Sequence, residues 1–302
     1  MRKNNRESGQ YPGRRSRRQP IAVSGFLICL FLVISSLEGR GESVTDTPAD
    51  LEIPKLSDGE PGPGLRVRQT LEGRESDGLF HLLYLPRDWD PSKRYPVIFE
   101  YPGNRFREGK GIQEECVLGY GITGGEGAIW VCLPFVDTET KAHATQWWGN
   151  LEATVQYCRD AVEQVCEKYS GDREKLFLAG FSRGAIACNF VGLHDDAIAS
   201  LWRGMICHSH YDGVRRWGYP GSDEASARSR LARLGGRPQW ISHEFSVEGT
   251  RDYLMRVQPD GDFTFAVHPF REHTADWVLR DLPLRGQLRT WFREVAHDEN
   301  SE

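Results

Sequence analysis

The chain predicts an α/β fold, a mostly parallel central sheet with helices packed on both faces. Three observations carry this expectation. Short apolar runs of strand length alternate along the chain with stretches of helical periodicity, the order of elements that builds a parallel sheet covered on both sides. One run, Leu176-Phe-Leu-Ala-Gly180, ends in Gly180-Phe-Ser182-Arg-Gly184 and passes at once into small, helix-compatible residues. Nine Trp, ten Tyr and fourteen Phe in 302 residues supply the bulk for one large core and argue against disorder.

Taken in order, the chain begins with an export segment. Residues 1–20 carry seven basic residues against the single acid Glu7, so the overall charge of −5 conceals a remainder at −11. An acidic body leaves no electrostatic footprint for nucleic acid, and none is expected as a partner. From Ile21 to Ser36 the sequence is uncharged and mostly apolar. That length falls short of the roughly 20 residues a membrane span needs. With a basic flank before it and small residues after it, the segment reads as a secretory signal cleaved between Ser35 and Gly41. The alternative is an uncleaved N-terminal anchor over 1–41, the only route by which a membrane becomes a partner. The protein is therefore expected to be secreted or periplasmic. Residues 42–63, rich in Pro, Gly, Ser, Asp and Glu, read as a flexible linker, and 64–298 as one catalytic domain.

Within that domain Leu65–Leu71 and Phe80–Leu85 read as a first pair of strands. Val97–Tyr101 is a third, closed by Pro102-Gly103-Asn104, and Ala128–Leu133 a fourth. Gly149–Tyr169 has the length and apolar spacing of an amphipathic helix. Asp172–Lys175 then turns the chain into the strand that feeds Ser182. Strands at Met205–His208, Pro238–His243 and Phe263–Val267 follow, with helices at Glu224–Leu234, Arg251–Val257 and Leu282–Val295.

Gly-x-Ser-x-Gly between a strand and a helix is the pattern of a nucleophile elbow. The turn strains the serine backbone, and only residues without a side chain fit on either side of it. A serine hydroxyl needs a base, and the base needs a group to orient it. In doubly wound sheets those partners follow later strands. After the last strand stand His268, at the strand end beside Pro269, and His273, in the next loop; His273 is preferred for its freedom to swing over the sheet edge. The loop after Trp240–His243 offers Glu244, Glu248 and Asp252. Asp252, after the tight Gly249-Thr-Arg turn, is the preferred acid and Glu248 the second. The order Ser182, Asp252, His273 is one of those known for such triads. Oxyanion donors are expected from the backbone of Arg183 and, since Pro102 has no N–H, from Asn104 or Gly103, with Asn104 preferred.

On these residues the chain resembles the α/β-hydrolases, and more narrowly secreted esterases of the polyhydroxybutyrate-depolymerase and feruloyl-esterase type. Tyr101-Pro-Gly-Asn104, Asp172–Lys175 leading to Gly180–Gly184, Gly249-Thr-Arg-Asp252 and His273 carry the likeness, over about residues 65–296. It implies an α/β-hydrolase fold, a serine hydrolase acting on carboxylic esters through a Ser-His-Asp triad, and no cofactor. The implied substrate is a small-molecule or polysaccharide-linked ester. Two residues depart from the pattern. Pro102 stands where a histidine precedes the oxyanion glycine, and Arg183 follows the nucleophile. A serine peptidase on the same triad, or a non-catalytic carbohydrate- or partner-binding protein on the same scaffold, are the alternatives.

Other residues are expected on the same rim. Trp147 and Trp148 would wall the pocket for an aryl or sugar ester, and Arg183 would hold an acidic group of the substrate. His208-Ser-His210-Tyr-Asp212-Gly213 resembles the metal-binding run of metallo-β-lactamase-like hydrolases. Gly213 replaces a required ligand, so no metal is expected. His208 and His210 read instead as substrate-facing, with Asp212 a reserve for the acid. Six cysteines follow the export segment; Cys158 and Cys166, on one helix, would stand about 12 Å apart along it and cannot bond each other.

Overall fold

The structure, a computed structural model, describes residues 42–297. The expected export segment lies outside the described residues, and among those no helix is long and apolar enough to cross a membrane.

Eleven strands and seven α-helices follow one another in the described chain. The N-terminal part contains β1 (Leu56–Ser57), β2 (Arg66–Gln69), β3 (His81–Tyr84), β4 (Tyr95–Tyr101), α1 (Leu118–Thr123) and β5 (Ile129–Cys132). A small ribbon of β6 (Val136–Asp137) and β7 (Ala142–His143) precedes α2 (Leu151–Lys168), β8 (Gly171–Phe181) and α3 (Arg183–Phe190). Then come α4 (Asp196–Ala199), β9 (Gly204–His208), α5 (Glu224–Leu231), β10 (Gln239–Glu244), α6 (Glu248–Val257), β11 (Phe263–His268) and α7 (Pro283–His297).

Nine strands form one sheet in the order β1-β2-β3-β5-β4-β8-β9-β10-β11. From β5 to β11 every neighbouring pair is parallel, while β3 runs antiparallel to both β2 and β5. Alternation along the central strands sorts side chains to the two faces. Val97, Phe99, Leu176, Leu178 and Ile241 pack toward α2 and α3, with Val155, Ala161, Val162, Ala185 and Ile186. Ile98, Phe177, Ala179 and Trp240 pack on the opposite face, against Leu118 and Ile122 of α1 and Leu288 and Phe292 of α7. The parallel strands all point the same way, so their carboxyl ends gather the loops after Tyr101, Phe181, His208, Glu244 and His268 along one rim.

Three departures from the sequence reading have physical causes. The linker expected over 42–63 is bound along the domain: β1 pairs with β2, and Leu51, Ile53 and Leu56 pack on the cluster around Trp130. Asp172–Lys175, read as a turn, is an excursion within β8. Tyr95 pairs with Gly171 and Val97 already with Leu176, so the polar residues bulge out while the apolar ones stay in register. Helix α1 was not expected, because Leu-Gly-Tyr-Gly-Ile-Thr has poor intrinsic helicity. Tertiary contacts override that propensity. A Cβ on Gly119 would lie 2.1 Å from the Trp130 ring and one on Gly121 2.3 Å from Val278. Buried Glu100 accepts the N–H groups of Val117, Leu118 and Gly119 at the helix start and the indole N–H of Trp130.

Candidate active site

Ser182 sits at the junction of β8 and α3 with φ +54° and ψ −114°, in the left-handed half of backbone space. The strain is tolerated because both flanking glycines lie against backbone. A Cβ on Gly180 would meet the Gly184 carbonyl carbon at 2.1 Å, and one on Gly184 the Tyr101 oxygen at 2.0 Å. The Ser182 N–H is tied to His208 O at 2.9 Å. Its hydroxyl is thus lifted above the strand ends, as the Gly-x-Ser-x-Gly spacing predicts.

The Ser182 Oγ lies 3.0 Å from His273 Nε2. On the other side of the ring, His273 Nδ1 lies 2.9 Å from Glu244 Oε1. Glu244 is the last residue of β10, paired in register with His268 of β11. The preferred acid, Asp252, is instead an exposed residue of α6, and Glu248 is exposed in that helix's first turn. The reserve candidate Asp212 is buried and paired with Arg230 at 2.8 Å. Strand β10 runs one residue further than the sequence suggested. That extra residue carries a carboxylate directly to the rim, whereas Asp252 lies on the helix beyond. His268 does not compete with His273; it is fully buried below the rim.

Ser209, with φ +82°, adds a second hydroxyl to this chain of groups. Its Oγ stands 2.6 and 2.7 Å from the two Glu244 oxygens and 2.8 Å from His273 Nδ1. A hydroxyl donates one proton, so Ser209 donates to Glu244 while accepting part of the His273 N–H. Burial pushes the Glu244 carboxyl up, but the hydrogen bond from His273, the neighbouring His208 and the Ser209 hydroxyl outweigh it, and Glu244 is held down at about 2. The group is a carboxylate wherever the protein is folded near neutrality. No sequence pattern marks Ser209; its backbone reaches the rim because its N–H bonds Ser242 O at 2.7 Å.

His208 does not face substrate. It is fully buried, with Nδ1 3.0 Å from the Ser242 hydroxyl and Nε2 accepting the Trp277 indole N–H at 3.0 Å. Burial drives its pKa down to about 3 and leaves it neutral. His208, Glu244 and His268 place ligand atoms within 4.8 Å of one another. Glu244 already accepts from Ser209 and His273 there, and His208 from Trp277.

Arg183 corrects the sequence reading most sharply. Its N–H stands at the first position of α3, where the helix has no carbonyl to offer it, but its side chain points inward and is only 1% exposed. One guanidinium nitrogen donates to Ala144 O at 3.1 Å and Trp147 O at 2.7 Å. The other donates to Gly103 O at 2.7 Å and Gly111 O at 3.0 Å. The Phe135 ring stacks beneath it at 4.0 Å. Burial lowers the guanidinium to about 9, which leaves it charged at neutral pH. Its two terminal nitrogens are committed to backbone carbonyls and its Nε is buried, so the guanidinium is not presented to a substrate acid. It fixes the loop after β4: in a trans peptide the N–H points opposite the C=O, so anchoring Gly103 O turns the Asn104 N–H away from Arg183. Asn104 Oδ1 accepts the Trp147 N–H at 2.8 Å, joining the same two loops a second time.

A cavity of about 940 Å³ opens over Ser182, lined among others by Asn104, Phe106, Trp147, His210 and Trp217. Phe106 is 60% exposed at its mouth. His210 is neutral, its pKa driven down to about 4 by burial and by the nearby His273, and its ring lies 5.2 Å from the His273 ring. Trp148, expected in the pocket wall, is buried behind it, stacked on Phe190 at 4.6 Å. Trp217, which the sequence reading missed, takes that place beside Trp147 at 5.4 Å.

No protein-family model matches the chain, and no curated protein is similar to it in sequence. Solved structures are similar in fold. The S954A feruloyl esterase module from Clostridium thermocellum, complexed with sinapinate, is 14% identical, with a TM-score of 0.52 over 85% of this chain and 98% of that one. A fungal esterase from Rhizomucor miehei is 12% identical, with a TM-score of 0.55 over 76% of this chain and 83% of that one. The AtxE2 isopeptidase is 16% identical at a TM-score of 0.53, over 77% of this chain and 40% of that one. With its mostly parallel sheet, strained serine elbow and these neighbours, the chain has the α/β-hydrolase fold.

Proposed function

We propose that the protein is an exported serine hydrolase that cleaves carboxylic esters through Ser182, His273 and Glu244. The observation that carries this reading is the continuous chain from Ser182 Oγ to His273 Nε2 at 3.0 Å and from His273 Nδ1 to Glu244 at 2.9 Å. It starts at a backbone held in a strained conformation that only the flanking glycines permit. Strain of this kind persists where the surroundings over-determine it, and catalytic sites are where it gathers.

In the acylation step Ser182 Oγ attacks the ester carbonyl carbon and His273 Nε2 takes the hydroxyl proton. Glu244 keeps the proton on Nδ1 and stabilises the imidazolium that forms. The carbonyl oxygen becomes an oxyanion between the N–H of Arg183 and the N–H of Asn104; one such donor is worth about 10²–10³ in kcat. The tetrahedral intermediate expels the alcohol, which receives the proton from His273. Water, deprotonated by His273, then attacks the acyl carbon and releases the acid and Ser182. The aromatic lining from Phe106, Trp147 and Trp217 suits a flat aryl or sugar-linked ester.

The test uses protein beginning at Glu42. A fluorophosphonate probe labels it, a 4-nitrophenyl ester is hydrolysed, and Ser182→Ala abolishes both. Wild-type protein that is neither labelled nor active on activated esters sinks the reading. Activity that survives Ser182→Ala but is lost to a chelator would replace it with a metal-dependent one.

A further inference from the structure

We propose that the segment Glu42–Asp46, next after the expected export signal, is a strap that positions His273 through its neighbour Glu272. The inference rests on His273 being the base proposed above.

Packing encloses His273 only in part, since its side chain is 37% exposed. The loop that carries it is also tied from outside, by the strap, at the adjacent residues. Ser43 Oγ donates to Glu272 Oε1 at 2.9 Å, and the Val44 N–H donates to Glu272 Oε2 at 3.0 Å. Both carboxylate oxygens are thereby engaged. Arg271 N–H donates to Glu42 O at 3.1 Å, so the backbone on the far side of Glu272 is tied to the same segment.

The strap is itself preorganised to make these bonds. Ser43 opens a short 3-10 turn, Val44–Asp46, with a reciprocal capping box in which Asp46 accepts the Ser43 N–H at 3.0 Å. Val44 is 5% exposed and belongs to the cluster containing Phe270, Ala275 and Trp277, the apolar residues on either side of His273. The Val44 N–H, as the largest influence, holds the Glu272 carboxyl down at about 2, so its charge is present at any pH at which the enzyme would work.

The following residues anchor the strap independently of Glu272. Arg280 donates to Thr47 O at 2.8 Å, and buried Arg285 holds both Asp50 oxygens at 2.7 and 2.8 Å. Residues 42–46 can therefore be removed while this second anchor stays. The loop would then lose three hydrogen bonds within two residues of the imidazole. A displacement of about 1 Å at a reacting group is enough to cost about 10²-fold in rate. Proteolysis within 42–46 would switch the enzyme down without unfolding it.

The experiment compares protein beginning at Glu42 with protein beginning at Thr47 and with Glu272→Ala in the longer chain. Each is measured by kcat and KM on a 4-nitrophenyl ester, by melting temperature and by amide hydrogen exchange over 270–276. Both changes are expected to lower kcat about 10- to 100-fold with KM within about twofold. Exchange in 270–276 accelerates, and melting stays close to the parent. A kcat within twofold of the parent in either variant, or unchanged exchange in the loop, overturns the strap. So does a fall in kcat that merely follows a lost melting transition in both. Should the parent itself be inactive, the hydrolase reading fails on its own, and hydrogen exchange still decides whether 42–46 fixes the loop.

Discussion

The two halves of the site are held by opposite means. Around His273 the order comes from side chains bonding to side chains: Ser182 to His273, His273 and Ser209 to Glu244. Around the loop after β4 it comes from one guanidinium bonding to four backbone carbonyls in two loops. The first half can change with protonation, as the proposed proton transfer requires. The second keeps its charge near neutrality and holds backbone in place. A single fold thus joins a labile relay to a fixed cradle at Ser182 and Arg183, neighbours in sequence.

Removing the relay's acid separates the halves most strongly. Glu244→Gln should lower kcat about 10³- to 10⁴-fold by losing the group that orients His273, while Asp252→Asn leaves kcat unchanged. Equal effects from the two would return the acid to α6. Next is the cradle. Arg183→Lys has too few donors to hold four carbonyls, and kcat should fall about 10- to 100-fold with fluorophosphonate labelling slowed in parallel. A selective loss on acidic substrates alone would mean that the side chain faces the pocket after all. Smaller still, Ser209→Ala removes one hydrogen bond to a carboxylate that keeps its bond to His273; at the low end of such bonds, about 1.5 kcal/mol, kcat should fall roughly tenfold. If the variant matches the parent, Ser209 does no more than fill space.

The mildest contrast is in pH. Glu244 titrates near 2 in the folded protein, below its ordinary value of 4.5. A depressed carboxyl contributes stability above 4.5 that disappears as the pH falls toward 2. The melting temperature should therefore fall through that window, and Glu244→Gln should flatten the fall. Arg183→Lys should shift the whole curve down without changing its slope there. A Glu244→Gln curve parallel to the parent's would show that other carboxyls dominate acid unfolding.

Much of the fold was legible because the central strands are apolar runs with turn residues at their ends, as at Val97–Tyr101 and Leu176–Gly180. Helix α1 was not, since its glycines are there for Trp130 and Val278, partners that only the folded chain supplies. Within the site, the elbow and the histidine loop could be located because both follow strands. Which carboxylate meets His273 turns on one question of strand length. Alternation cannot say whether a strand stops at His243 or at Glu244, and that residue decides which carboxylate reaches the rim. Arg183 was misjudged for another reason. A charged residue beside a nucleophile suggests substrate contact, and its four carbonyl acceptors come from backbone, which leaves no trace in side-chain identity.

The six thiols at Cys116, Cys132, Cys158, Cys166, Cys188 and Cys207 are all free and buried. An aqueous thiol reagent has nothing to attack among them until the domain opens, so its rate of reaction is a clock for unfolding. The same feature makes the chain vulnerable once it does open. Six sulfhydryls released together in an oxidising medium can pair in 15 complete ways, none of which is the folded state. Refolding in air should therefore give far less native material than refolding under a reductant.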